Sequence, residues 1–355
     1  MKSAAFPAAV PDAALEALFV PFDTGALALP ADGRVLVLRA RDGFRLREMA
    51  KAGWVCEQSF KPFADALQRS GLTLADARDD ERYPLVLVLP PRQRDEARAL
   101  FARAVTRMAP GGVVAAAVAN AEGARSAESD LARLAGPLGQ LSKHKCRVFW
   151  TRPEHAVDQA LLAEWLALDA ARPNEAGYIS RPGLFAWDRV DTASALLAEQ
   201  LPADLTGEVA DLGAGYGYLS ARLLARCPGV SLIDLYEAEA RALEPARANL
   251  LQAQRESGRA VPFELHWHDV AQGLPRRYDV VVSNPPFHQG RADLPELGRA
   301  FIGAAADALR PHGRLWLVAN QHLPYEATLA ARFQEVRTVT LQDGFKIIEA
   351  RGVRA

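Results

Sequence analysis

Between Glu208 and Asn320 the chain switches repeatedly between short, strand-like apolar runs and helical spacing. Strand-like segments are Glu208–Leu212, Ser231–Tyr236, Phe263–His268, Tyr278–Ser283 and Arg314–Asn320. Helix-like segments are Tyr218–Arg226, Glu239–Glu256 and Leu294–Leu309. Such alternation predicts an α/β fold, a mostly parallel sheet with helices on both faces. In sheets of this kind ligands bind beyond the carboxyl ends of the strands.

The first half echoes the second. Gly33-Arg34-Val35-Leu36-Val37-Leu38 resembles Gly207-Glu208-Val209-Ala210-Asp211-Leu212. The run Pro84–Leu89 ends at Pro90-Pro91, as the later strand ends at Pro285-Pro286, and Glu96–Met108 after it reads as a helix. Pro110-Gly111-Gly112 leads into a strand ending Val118-Ala119-Asn120, as Pro311-His312-Gly313 leads into one ending Val318-Ala319-Asn320. The echo predicts an internal duplication; two unrelated α/β units are the alternative, and unlike strand order would favour it. In this alignment Val37 replaces Asp211, Arg39 replaces Gly213, Arg41 replaces Gly215 and Leu89 replaces Asn284. We therefore expect a degenerate first domain over residues 1–165, which binds substrate or stabilises its partner, and a catalytic one over 166–355.

Composition narrows the field without deciding it. Of 355 residues, 50% are hydrophobic and 24% charged, as in ordinary globular proteins. The formal net charge of −1 gives no general attraction for nucleic acid, so a polyanionic partner needs local basic patches. Cys56, Cys146 and Cys227 are isolated, which argues against a disulfide framework and for a reducing cytoplasm. No apolar run has the length of a signal core or a membrane span. Leu141–Arg152 mixes basic with aromatic residues, as phosphate and base contacts require; a solvated face is the alternative.

Two constellations carry chemistry. Asn284-Pro285-Pro286-Phe287 follows a buried strand, and two prolines cannot continue its ladder. The result is a rigid turn holding an amide side chain, free carbonyls and an aromatic face, a set that can grip a planar group bearing –NH2. The second is Asp211-Leu212-Gly213-Ala214-Gly215-Tyr216-Gly217, spaced G-x-G-x-G rather than as a dinucleotide fingerprint. An acid at the strand end suits a cofactor with a cationic head, such as S-adenosylmethionine. Glu237 after the next strand can accept two ribose hydroxyls, and Asp269 after the third can accept from an adenine amine.

His266, His268, His288, His312 and His322 invite a metal reading, but no clustered carboxylate or cysteine completes a set. The rings of His266 and His268 are expected to face opposite ways at a strand end. No metal is expected.

At this point the chain resembles the class I S-adenosylmethionine-dependent methyltransferases, through Asp211–Gly217, Glu237 with Glu244–Asn249, Asp269-Val270 and Asn284–Phe287. Ser283 and His288 around that last motif, Val318-Ala319-Asn320, and Leu323-Pro324-Tyr325 resemble the bacterial ribosomal RNA guanine-N2 methyltransferases. Pro182-Gly183-Leu184-Phe185 and Asp188 with Asp191 resemble the segment before the cofactor domain there, and Asn120–Glu128 favours the 16S branch over the 23S. The resemblance implies two tandem Rossmann-like methyltransferase domains with mostly parallel seven-stranded sheets, the N-terminal one degenerate. Catalytic roles fall on Asn284, Pro285, Pro286 and Phe287: the Asn284 oxygen and Pro285 carbonyl hold the amine, and Phe287 stacks the base. Asp211, Gly213, Gly215, Gly217, Glu237, Asp269 and Asn284 would bind S-adenosylmethionine. The implied partner is ribosomal RNA or a ribosomal subunit, met by a cytoplasmic monomer. Methylation of a protein glutamine or a DNA adenine stays open, as does an RNA-binding assembly factor with a relic fold.

Overall fold

The computed structural model describes residues 12–75, 81–286 and 295–354, together with the backbone of 288–289 and 292–293. The chain divides near residue 170 into two compact units, each with its own sheet. In the first, β1 (Val35–Leu38), β2 (Trp54–Glu57), β3 (Tyr83–Val88), β4 (Met108–Ala119), β5 (Gly139–Lys143) and β6 (Cys146–Trp150) lie in the order β2-β1-β3-β4-β6-β5. The second holds a hairpin of β7 (Arg172–Pro173) and β8 (Ile179–Ser180). Its sheet is built from β9 (Thr206–Leu212), β10 (Gly229–Glu237), β11 (Phe263–Trp267) and β12 (Tyr278–Ser283). After the ribbon strands β13 (His288–Gln289) and β14 (Ala292–Asp293) come β15 (Leu309–Asn320), β16 (Phe333–Gln342) and β17 (Phe345–Val353). The second sheet runs β11-β10-β9-β12-β15-β17-β16.

The two orders agree strand for strand, with β11 unmatched. In both sheets one strand is reversed, β6 between β4 and β5 and β17 between β15 and β16, each antiparallel to both its neighbours. Ladder register supports the alignment: Val37 pairs with Leu87, and Asp211 with Val282. Two residues on, Leu89 and Asn284 occupy equivalent places. Arg39 keeps the left-handed backbone of its counterpart, with φ of 52° against 70° at Gly213.

Two expectations need correction. The first sheet has six strands among the described residues, not seven. Beyond β2 there is one parallel bridge, Cys56 to Leu74, where the seventh strand would pair. In addition, Ala119 pairs with Cys146 and Asn320 with Phe345, both at the start of the returning strand. Ala119, rather than Asn120, is thus the structural counterpart of Asn320.

Both sheets are covered on both faces, which is why their central strands carry apolar runs rather than strict alternation. In the second unit, Val209, Leu235, Val280, Val282 and Trp316 pack with Leu197, Leu223 and Leu250 on one face. Ala210, Leu212, Tyr236, Val281 and Leu317 pack with Phe301 and Ile302 on the other. Chain order reverses between β9 and β12: β10 and β11 extend the sheet to one side and β15 to the other. That switch point is where a doubly wound sheet opens a crevice, and both sequence constellations end there.

Val37 is wholly buried among apolar residues. Val37→Asp, which restores the acid of the other copy, should destabilise the protein by on the order of 3 kcal/mol, because the carboxyl has no partner there. Thermal melting checks this; an unchanged midpoint would show that the first unit still accommodates an acid.

Candidate active site

The loop after β9 is shaped by three glycines in left-handed backbone, with φ of 70° at Gly213, 53° at Gly215 and 81° at Gly217. Their requirements differ. A Cβ on Gly213 would lie 3.4 Å from the Phe301 ring and 3.8 Å from the Asn284 carbonyl oxygen, so the two strand ends pass close. A Cβ on Gly217 would lie 2.9 Å from Leu250 of the helix Leu243–Ser257. Gly215 faces open space and needs glycine for its backbone alone. Its N–H donates to Glu237 Oε2 at 2.7 Å. From the helix behind, the Asn249 amide donates to the Tyr216 carbonyl at 2.7 Å and the Ile179 carbonyl at 2.8 Å, while its oxygen accepts from Ile179 N–H at 2.7 Å.

Asp211 is buried at the end of β9. Its Oδ2 accepts from the Ser220 hydroxyl at 2.7 Å, and its Oδ1 has no partner. Burial pushes its carboxyl up to about 7, against the pull of the Ser220 hydrogen bond. Glu237 is raised as well, first by burial, while the backbone N–H groups of Glu239 and Gly215 oppose the shift. Its Oε1 accepts from Glu239 N–H at 2.8 Å. Asp269 stands at the next strand end, where its own bonds are local: Ala271 N–H at 3.1 Å and the Gln272 amide at 3.2 Å.

Asn284 is the most constrained group. Its Nδ2 donates to Asp191 Oδ2 at 2.9 Å and to Ser194 Oγ at 2.8 Å. An ionised carboxylate only accepts, so the NH2 must face Asp191 and the oxygen must face away. That oxygen, Oδ1, is buried and has no partner. Asp191 also caps the helix Thr192–Gln200 by accepting from Ser194 N–H at 2.8 Å. Behind the turn, the Ser283 hydroxyl donates to the Leu212 carbonyl at 2.8 Å and ties β12 to β9.

A cleft of about 390 Å³, counting its open mouth, is lined by Gly213, Gly215, Asn284, Asp191, Ser194 and the exposed ring of Phe185, among others. Of the residues given a site role from the sequence, Gly213, Gly215 and Asn284 wall it directly, and Glu237 is one hydrogen bond away. Asp211 sits behind the glycine loop, and Asp269 lies one strand further along the sheet. Pro285 is buried and Pro286 exposed; Phe287 lies outside the described residues. Asp191, Ser194, Ser220 and Asn249 gained no role of their own from the sequence. An Asp-x-x-Ser cap marks a helix start, but nothing local reveals its contact with a turn far along the chain.

The histidine expectation was wrong in its geometry. The Tyr236 ring stacks on His266 at 4.5 Å and meets His268 edge-on at 5.4 Å, so both imidazoles lie against one ring. Residues two apart on a strand share a face. The structure also gathers acids beside His266: ligand atoms of Asp234, Glu264 and His266 lie within 4.8 Å of one another. Asp234 Oδ2, however, accepts from Arg276 at 3.0 Å and from the Tyr278 hydroxyl at 2.6 Å, so a guanidinium already supplies the positive charge.

Residues 175–349 match the family model of the methyltransferase small domain. A ribosomal RNA small subunit methyltransferase C of Pseudomonas aeruginosa (strain LESB58) is 33% identical, covering 78% of this chain and 82% of its own length. The protein of that name from Psychromonas ingrahamii is 27% identical over 86% of this chain and 87% of its own. Among solved structures, the T. thermophilus 16S rRNA N2 methyltransferase RsmC, determined with AdoMet and guanosine, has a TM-score of 0.74 at 24% identity, covering 92% of this chain and 90% of that one. With the doubled α/β fold and the strand-end cleft already in view, these matches establish that the chain belongs to the ribosomal RNA small subunit methyltransferase C family.

Proposed function

We propose that the second unit transfers a methyl group from S-adenosylmethionine to the exocyclic N2 amine of a guanine in small-subunit ribosomal RNA. The observation that carries this reading is Asn284: both its amide hydrogens are taken and its oxygen is left as a buried acceptor without a partner, on a residue that walls the cleft. A buried unpaired acceptor is costly unless a ligand satisfies it. The relatives' names and the neighbour's bound AdoMet and guanosine support the choice of donor and base.

The residues fit S-adenosylmethionine, which when bound supplies an electrophilic methyl group. Asp211 Oδ1 is a second orphaned acceptor, suited to a cationic group. Glu237 has used two of about four lone-pair directions, leaving others for ribose hydroxyls. Asp269 would accept from the adenine amine. The loop of Gly213, Gly215 and Gly217 lets backbone approach the ligand closely.

At the reacting end, the Asn284 oxygen and the Pro285 carbonyl accept the two amine hydrogens, with Pro286 keeping the turn rigid. Those bonds strengthen as positive charge develops on nitrogen, so they favour the transition state over the ground state. Orientation supplies much of the remainder, up to about 7–11 kcal/mol for well-placed reactants. Phe287 stacks on the base, worth about 1–3 kcal/mol in comparable contacts. The target base must be unpaired or flipped out of its helix. A relic fold that only bound RNA would gain nothing from keeping two orphaned acceptors. We further take the protein to work in the cytoplasm, as a monomer, with the first unit contributing RNA recognition or stability.

Three measurements test this. Asn284→Ala should leave S-adenosylmethionine affinity within a few-fold and lower turnover by about 10²–10³-fold; near-parental turnover would remove Asn284 from catalysis. Asp191→Asn keeps a competent helix cap but no longer forces the amide's orientation. It should lower kcat about tenfold while cofactor binding and melting temperature hold, a split that a purely structural role would not produce. Finally, Asp211 must be ionised to hold a cation, and its raised pKa makes it neutral below about 7. Cofactor affinity should therefore weaken about tenfold per pH unit below that point, and Asp211→Asn should flatten the profile. Calorimetric titration across pH reads this directly; a flat parental profile would exclude the contact.

A further inference from the structure

In the first unit, β5 and β6 are joined by the two-residue turn His144-Lys145, and both residues are left-handed, with φ of 51° and 57°. Hairpin turns of this type require that backbone twice over, and Asn-Gly or Asp-Gly adopts it with least strain. The second unit obeys the preference. Its β16 and β17 are joined at the equivalent place by Asp343-Gly344, with φ of 52° and 80°. One copy of the duplicated fold thus keeps the favoured pair, and the other holds a histidine and a lysine in the same backbone.

The surroundings are cationic. Lys143, His144 and Lys145 are all exposed at the tip. Beside them opens a cleft of about 720 Å³, lined by Asn120, Gly123, Arg125, Ser126, Ser142 and Arg147. Arg147 is paired with Glu128. Among the described residues, Arg125, Lys143 and Lys145 make no ion pair. Of the acids close in sequence, Glu128 is thus engaged and Glu122 is exposed on the neighbouring turn. Guanidinium, ammonium, hydroxyl and amide donors around an open cleft match the non-bridging oxygens of phosphodiesters. With a net charge of −1 the chain as a whole does not attract a polyanion, so such attraction has to be local.

We propose that the His144-Lys145 turn and the adjoining cleft hold the phosphate backbone of the substrate RNA, which makes the non-catalytic unit an electrostatic docking site. The proposal rests on the ribosomal RNA reading above. The second copy supplies the control substitution: His144→Asn with Lys145→Gly keeps the turn in its preferred chemistry while removing the cationic tip. A further variant adds Arg125→Gln and Lys143→Gln. Full-length proteins would be titrated with a small-subunit ribosomal RNA transcript over a range of salt concentrations, with melting temperature and S-adenosylmethionine affinity measured alongside. The turn variant should melt no lower than the parent and bind the transcript more weakly. The four-residue variant loses three cationic side chains, so its plot of log K against log salt should be shallower by about two to three, at about 0.7–0.9 per phosphate contact. Its cofactor affinity should stay at the parental value, since that site belongs to the second unit. Parental RNA affinity and salt slope in both variants would overturn the docking site and leave the ribosomal RNA reading standing. A parent protein that does not bind the transcript at all would overturn the reading itself.

Discussion

The pair of hydrogen bonds from the Asn284 amide to Asp191 and Ser194 decides which atom of that side chain is available for chemistry. An amide free to flip would present donor and acceptor in turn, and a donor would repel the hydrogens of an amine. Fixing it requires three elements to meet: the end of β12, the first turn of the helix Thr192–Gln200, and the glycine loop after β9. Each has its own tie. Ser283 binds β12 to the Leu212 carbonyl, Asp191 caps the helix while it holds the amide, and the left-handed backbone at Gly213 turns the loop alongside the Asn284 carbonyl. The crevice of a doubly wound sheet is a general property of the topology; these three ties turn it into a site with a defined acceptor.

The acidic side of the site is held at a cost. Asp211 is buried with one oxygen unpaired, and Glu237 is raised despite two backbone donors. A fold under no functional demand replaces such groups, because an apolar residue of similar volume packs without the desolvation penalty. The first unit shows that outcome at the matched positions. Val37 fills the place of Asp211 in an apolar core, and Leu89 fills that of Asn284.

Much of the architecture could be read in advance because central strands buried on both faces produce unbroken apolar runs with clear ends. Pro285-Pro286 and Gly213–Gly217 marked two of those ends, and the cleft is lined by Asn284, just before the prolines, and by residues 213–216 of the loop. What escaped the sequence depended on register or on long-range contact. The repeated Val-Ala-Asn suggested Asn120 as the partner of Asn320, but the ladder is offset by one residue. Among the described residues the place of a seventh strand in the first sheet holds just the Cys56–Leu74 bridge, which no local pattern distinguishes from a short strand. The tyrosine that brings His266 and His268 against one ring comes from a neighbouring strand, although the shared face of residues two apart was readable. Asp343-Gly344 between β16 and β17 was a hairpin signal of the strongest kind and went unused.

The two copies also separate what the fold requires from what the ligand requires. At the end of β1 the chain still turns through left-handed backbone, although the residue is Arg39 at a φ of 52°. A side chain at such a position is strained, so the turn is imposed by the strand-to-helix connection and survives the loss of glycine. What glycine adds in the second copy is access, because nothing projects from Gly213 or Gly215 into the cleft. Arg39 closes that access. Its guanidinium donates to the Leu89 carbonyl at 3.3 Å, across the gap that the Gly213 loop and Asn284 leave open in the other unit. The same arginine that puts a side chain at the glycine position therefore satisfies the carbonyl of a strand end that has no amide to hold. At this position one residue both fills the space beside the strand end and gives its carbonyl a donor, while the sheet order stays that of the other unit.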